Sequence, residues 1–467
     1  MLKKLTIVVF TLITLSLSTI CTAAISPSIT TSNELYQKIL TAMPGDTLTL
    51  APGTFAIKRL IIYKSIKIKG AGPGKTILIP TSKNNQGCFY IASLAPTPTS
   101  PAPPKHKLTV TIQDLTIQGF TGINDEEVND PPVSASAIFI DKKQTLTLSN
   151  CNIKNNTYTS PDWESIFYGG TINNFGTINI NQCNISNNKN TCGNGGGINN
   201  KGTMGIKNST ISYNTARAIS TAEEKIDGSA IFNFGTLTLE DTTISYNGTK
   251  VNKIHRNATS AVYNNGSITA TGCTFNNNYA ATTGTVIANA GAMDFINCTI
   301  TNNNYASNCL GNITQDSPLT LINCTISQNG NSRESNLQYV LSNSGTLNIM
   351  NTIVSDNLFS EQEFFNNSTV ADFGYNLING LPNDKTQKGT IKFPIKLLPL
   401  SNNGGPTQTM ALPPNCPAIG AGATKSTLTV NGKSLTLKAP ITDQRGVARN
   451  QNAIDIGAYQ NSASQKL

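Results

Sequence analysis

The sequence predicts an all-β fold of one kind, a single-stranded parallel β-helix closed at its N-terminal end by a short helix. Three observations carry that reading. A seven-residue phrase, typified by Asn297-Cys298-Thr299-Ile300-Thr301-Asn302-Asn303, occurs eight times, starting at Asn150, Gln182, Asn208, Asp241, Gly272, Asn297, Asn323 and Asn351. Its copies stand 25 to 33 residues apart, and its seventh residue is always Asn: Asn156, Asn188, Asn214, Asn247, Asn278, Asn303, Asn329 and Asn357. A second phrase, aliphatic-x-Asn-x-Gly, precedes most copies, as in Ile172/Asn174/Gly176, Ile231/Asn233/Gly235 and Leu341/Asn343/Gly345. Finally, only 13% of the chain is charged, against about 25% in ordinary domains. Stacked ladders of Asn, Ser and Thr have less need of a charged coat.

Each repeat divides into three short strands. Leu237 and Leu239 alternate with polar residues, which puts them on one face. The parity then slips: Leu319 and Leu321 are odd-numbered, and the next inward pair, Cys324 and Ile326, is even-numbered. An odd step between inward residues needs a bend, expected around Ile322-Asn323. Asn suits such corners because it tolerates left-handed backbone angles and hydrogen-bonds to its neighbours.

In chain order, residues 1–24 read as a secretory signal, with Lys3 and Lys4 before the apolar run Leu5 to Leu17 and small residues at Cys21-Thr22-Ala23-Ala24. That run is shorter than the roughly 18–20 residues a membrane span requires. Residues 25–135 form the N-terminal cap and first coils. Within them, Ser32 to Ala42 is expected as a capping helix, with Ser32 as N-cap and Leu35, Ile39 and Leu40 on its buried face. Ala95 to Pro104 reads as a polyproline-like loop, and the acidic stretch Asn124 to Asp130 as a solvated loop with calcium as the alternative. The repeats occupy 136–360. Their longest insertions, at 157–168, 215–228, 248–259, 304–318 and 330–338, follow the seventh-position Asn and therefore project from one side of the stack. Residues 361–467 hold the last coils and a closing motif.

The formal charge is +9, or +7 without Lys3 and Lys4. The charges read as scattered, without a basic stripe carrying aromatics, which excludes nucleic acid as the expected partner. Nine Cys remain beyond the leader. Cys151, Cys183, Cys273, Cys298 and Cys324 share the second position of the phrase, where Ser209, Thr242 and Thr352 also stand. Stacked side chains lie about 4.8 Å apart, whereas a disulfide wants its Cβ atoms at about 3.8 Å. These five are expected as buried free thiols.

The opening residues, from Ser32 through Thr76-Ile77-Leu78-Ile79, resemble the cap and first turn of pectin-lyase-like right-handed β-helices. The phrases Gly-Gly-x-Ile and Cys-Thr-Ile-x-x-Asn resemble repeats of bacterial polymorphic outer-membrane proteins. The C-terminal run Leu400-Ser401-Asn402-Asn403-Gly404-Gly405-Pro406-Thr407, then Cys416-Pro417-Ala418-Ile419-Gly420, Thr442-Asp443-Gln444-Arg445-Gly446, Arg449 and Asp455-Ile456-Gly457-Ala458-Tyr459, resembles the end of a choice-of-anchor Q domain. Gly420 and Gln460 depart from that pattern, where Asp and Glu are usual. The resemblance implies right-handedness, which also accords with the rule for parallel crossovers. It further implies a secreted or cell-surface location associated with the outer membrane, and no settled catalytic residues. Asp443, Arg445, Arg449 and Asp455 are read as an ion-pair cluster closing the last coil.

Two functions compete. One is a non-catalytic, adhesin-like protein that presents loops to an extracellular polysaccharide or a host or cell-surface ligand, without being integral to the membrane. Tyr158, Trp163, Phe167 and Tyr168 share one insertion, where aromatics either stack on sugars or pack onto the coil. The other is a polysaccharide lyase or glycoside hydrolase, which needs carboxylates or basic groups across a groove. Asp162 and Glu164, then Glu223, Glu224 and Asp227, with Lys253, His255 and Arg256, supply those types without diagnostic spacing. No metal site and no cofactor is expected.

Overall fold

Period-two alternation interrupted once per corner folds this chain into a right-handed parallel β-helix with three faces. The computed structural model describes residues 28–81, 87–92, 107–123, 135–159, 169–217, 227–249, 259–281, 284–304, 307–330, 338–358, 362–378, 389–391, 394–430 and 432–461. The leader, the proline-rich loop and the acidic loop lie outside the described residues. The first face runs from Thr47–Thr49 to Thr369–Asp372, and the second from Gly53–Ile57 to Leu377–Ile378; together they make one 22-stranded sheet. The third is an 11-stranded sheet from Leu60–Ile62 to Gln362–Asn366. A four-stranded sheet, Thr121–Ile123, Thr157–Thr159, Lys189–Asn190 and Thr215–Ala216, extends the second face beyond its corner, a feature the repeat pattern does not announce.

Register places like on like. On the second face Ile153 pairs with Ile185, Ile211, Ile244, Phe275, Ile300, Ile326 and Val354 in succession. All of these are buried, and each contributes about 1.5–3 kcal/mol by leaving water. The insertion read at 304–318 contains the third-face strand Asn308–Asn312. Its phrase is Leu310/Asn312/Thr314, so the missing glycine had concealed it.

The asparagines divide the work at each coil. Left-handed backbone falls on the first position of the phrase (Asn150, Gln182, Asn208, Asp241, Asn297, Asn323 and Asn351, φ 48 to 53) and on the sixth. The seventh-position Asn is not the left-handed corner; it turns inward and forms a ladder. Asn188 donates its backbone N–H and its Nδ2 to the Asn214 Oδ1 at 3.1 and 3.0 Å, and Nδ2 also reaches the Ile153 carbonyl at 3.0 Å. The Asn of the second phrase builds a parallel ladder, with Asn200 to Asn233 and Asn233 to Asn264 both at 2.7 Å. Burial demands these bonds, since an unpaired carboxamide inside the bore would cost about 1–3 kcal/mol.

The second position carries a donor. Ser209 Oγ and Thr242 Oγ1 donate to the carbonyl two residues back, at 2.7 and 2.8 Å, and Cys183 and Cys298 do so through sulfur at 3.3 Å. Thus the column selects Cys, Ser or Thr for a small donor that satisfies the carbonyl before the left-handed corner. The five column cysteines are free thiols, and all nine described cysteines are buried.

The N-terminal helix is Ser32–Thr41, and its cap is Thr31 rather than Ser32. Thr31 Oγ1 accepts from Glu34 N–H at 3.2 Å, while Glu34 Oε2 accepts from Thr30 N–H at 3.0 Å. Thr31-x-x-Glu34 is thus close to a capping box. Leu35 and Ile39 are buried, but Leu40 is 52% exposed, because one residue past Ile39 turns the side chain about 100° away.

Candidate functional site

Open and covered stretches of the second face define the site. The outward residues Asn152, Asn184, Thr210 and Thr243 are accessible, whereas their successors Thr274, Thr299 and Thr325 are buried. The C-terminal segment buries them. Thr274 Oγ1 donates to the Gln408 carbonyl at 2.6 Å, Thr299 Oγ1 to Gln444 Oε1 at 2.6 Å, and Ala458 N–H to Thr325 Oγ1 at 3.0 Å. Left-handed asparagines along this flank serve as docking points: Asn297 Nδ2 donates to Thr442 O at 2.8 Å, and Asn351 Nδ2, one coil past Thr325, to Ala423 O at 2.7 Å.

The motif expected to close the last coil therefore runs as a strap along the flank of four coils. Asp443 and Arg445 form the ion pair, at 2.7 Å, and the Arg445 guanidinium lies 3.7 Å over the Tyr459 ring. Arg449 does not join that pair. It donates to Asn297 Oδ1 and to the carbonyls of Thr442, Asp455 and Gly457. Burial lowers its pKa to about 10, so it stays charged at neutral pH. Asp455 accepts from the backbone N–H groups of Gly420 and Asn461, both at 2.7 Å, and burial raises its carboxyl. The four residues are an internal brace, because carbonyls left over at the docked corners need strong donors.

Beyond the strap, the open shelf ends at an exposed tyrosine pair. Tyr213 and Tyr246 occupy the sixth position of adjacent copies, 51% and 38% exposed. Their rings stack with centroids 4.9 Å apart and planes 4° from parallel. Both have left-handed backbone, φ 56 and 55, where a bulky side chain is an outlier. Asn155, Asn187, Asn277 and Asn302 fill the same column, so the local physics favours Asn. Each such residue carries strain of order 1–3 kcal/mol, here repeated on neighbouring coils with the side chain in solvent. Sequence reasoning missed the pair because the tyrosines lie inside the repeated phrase rather than in an insertion.

At the opposite edge of the shelf stand Lys207, Glu240 and Asp241. Lys207 Nζ pairs with Glu240 Oε1 at 2.5 Å, both half exposed. Partial burial, then the neighbouring Glu240, raises the Asp241 carboxyl. Of the residues read from the insertions, Tyr158 is fully buried on the four-stranded sheet, opposite Gly122 and Asn190; it packs onto the coil and offers no sugar platform. Asp227 is half-buried and accepts from Thr259 Oγ1 and from Ser260 Oγ, while its N–H donates to Asn194 Oδ1. It ties three neighbouring coils together. Trp163, Phe167, Tyr168, Glu223, Glu224, His255 and Arg256, with Asp162, Glu164 and Lys253, lie outside the described residues. Among the described residues no group of three His, Cys, Asp or Glu converges to hold a metal, and no helix is long and apolar enough to cross a membrane.

No family model matches the chain, and no curated protein does. Among solved structures it is similar to an open reading frame of Geobacillus virus E2 (15% identity, TM-score 0.31, covering 73% of this chain and 57% of that one). It is similar also to a PL6 family alginate lyase (11%, TM-score 0.38, 93% and 59%) and to pectate lyase Pel9A (13%, TM-score 0.34, 91% and 90%). The chain thus spans less than two thirds of the first two. Two of the three are named as lyases, and at these identities and TM-scores the likeness carries no argument about what this chain does.

Proposed function

We propose that this is a secreted or cell-surface β-helix protein that binds an extended polysaccharide on the open shelf of its second face. The observation that carries the reading is the stacked pair Tyr213 and Tyr246, exposed and held in left-handed backbone where Asn is the easier residue. Sugar rings present flat C–H faces that aromatic rings accept, and a row of Asn and Thr side chains supplies hydrogen bonds to hydroxyls. The leader-like N-terminus and the choice-of-anchor Q-like motifs support export to the surface. The test is a glycan array read with the unaltered chain and with Tyr213→Asn/Tyr246→Asn. Loss of the glycan signal in the double variant supports the reading; unchanged binding overturns it.

A second reading, cleavage of the bound glycan, is favoured by one observation. Asp241 carries a carboxyl raised by partial burial and by Glu240, beside the Lys207–Glu240 ion pair, which places an acid and a cation at one edge of the shelf. Reducing-end and unsaturated-product assays decide it. Turnover abolished by Asp241→Asn supports cleavage, and product-free binding restricts the protein to adhesion.

A further inference from the structure

The positive charge of this chain is segregated. Residues 25–122 hold ten Lys and Arg against three Asp and Glu, a net +7, while residues 123–467 hold twenty-two of each. This excess belongs to the segment that builds the first coils, and Lys142 and Lys143 adjoin it on the next coil. Lys67 and Lys69 project from the first face, paired in register with Thr111 and Gln113 one coil on. Lys107 precedes the strand that begins at Thr109, and Lys142 and Lys143 form the turn into the next strand, whose Thr145 is the partner of Thr109. The five ammonium groups thus sit on three successive coils, about 4.8 Å of rise apart.

Among the described residues, none of the five makes an ion pair. The described acids nearby point their carboxylates at neutral donors: Asp46 accepts from Met43 N–H at 2.8 Å, Asp141 from Lys142 N–H at 2.7 Å, and Asp114 from the Gln113 and Asn150 carboxamides at 2.8 and 2.7 Å. Lys64, in the same corner, donates to the Leu40 and Ala42 carbonyls and so closes the helix. From this ridge the first face continues as outward Thr109, Thr111, Thr145, Thr147 and Thr177, partly or fully exposed, a flat uncharged surface of hydroxyls.

We propose that this face is a second binding track, one that takes an anionic polysaccharide, with the five lysines holding its carboxylates or sulfates and the threonines its hydroxyls. It is separate from the tyrosine shelf and does not rest on it. Lys107 and Lys143 occupy equivalent positions on adjacent coils, each two residues before the partners Thr109 and Thr145, and Lys67 and Lys69 stand four and six residues further along the same face; cations spread over a face in this way suit a linear polymer with repeated charge. Single-stranded nucleic acid fits less well, since the outward residues of these strands include no aromatic on which bases stack.

The test uses the full chain on immobilised polygalacturonate, dextran sulfate and neutral dextran, over a salt series. Binding to either anionic polymer but not to neutral dextran is expected, weakening as salt rises. Combined Lys67→Gln, Lys69→Gln, Lys107→Gln, Lys142→Gln and Lys143→Gln should weaken it at least about tenfold and flatten the salt dependence. The matching Lys→Arg variant should keep binding, and Tyr213→Asn/Tyr246→Asn should leave it unchanged. Equal binding by the Gln variant, equal binding to neutral dextran, or binding only to phosphatidylglycerol vesicles would overturn the proposal.

Discussion

The Arg449 guanidinium donates to the Asn297 carboxamide at 2.8 Å across 152 residues of chain. Asn297 in turn donates to the Thr442 carbonyl, so the strap and the left-handed corner satisfy each other. Arg449→Met should therefore destabilise the chain by about 3 kcal/mol or more, because it strands buried acceptors rather than removing one contact. Differential scanning calorimetry measures it. A change below about 1 kcal/mol would show that the strap docks without this brace.

Tyr213→Asn and Tyr246→Asn put the favoured residue into a left-handed position. Each should leave the melting temperature unchanged or raise it, while lowering glycan affinity. A clear fall in melting temperature would instead assign the ring pair a packing role.

Asn247 accepts from Asn214 and donates to Ile211, Ser245 and Asn278. Asn247→Leu keeps the branched shape and leaves partners on three coils unpaired. The expected loss is about 3 kcal/mol or more, read by urea denaturation; a neutral result would show that the ladder is replaceable by apolar packing.

The five column cysteines should resist alkylation in the folded protein and react once it is unfolded without reductant. All five are buried with sulfurs donating to backbone carbonyls, which denies a reagent access, and burial further holds the Cys298 and Cys324 thiols well above their ordinary pKa, leaving those two little thiolate to react. Peptide mapping that links any two of them would refute this.

Burial raises the Asp372 carboxyl, against hydrogen bonds from Gly374 N–H and Asn376 that lower it. A raised native value means that its contribution to stability is full below the unfolded value of about 3.9 and is lost as pH rises through the native one. Asp372→Asn can keep both acceptor bonds. Its gain over the unaltered chain should appear above that window and vanish below it, as thermal melts from pH 3 to 7 would show; a gain independent of pH would exclude this cause.

Local sequence determined the coil. The repeated phrase carries its own corner, donor and ladder residue, so the bend at Asn323 and the burial of Ile326 follow from a few consecutive positions. The third-face strand at Leu310 escaped because one glycine of its phrase is absent. What only the tertiary structure decided is what coiling brings together over long separations. Arg449 reaches Asn297, Tyr213 meets Tyr246 one coil away, and Lys67, Lys107 and Lys143 gather at one end of the rod. None of these has a local signature, because the positions of such partners depend on where each coil closes. Tyr158 makes the same point in reverse. Its insertion left a surface aromatic and one packed on the coil equally open, and the added four-stranded sheet, formed by pairing between coils, buried it.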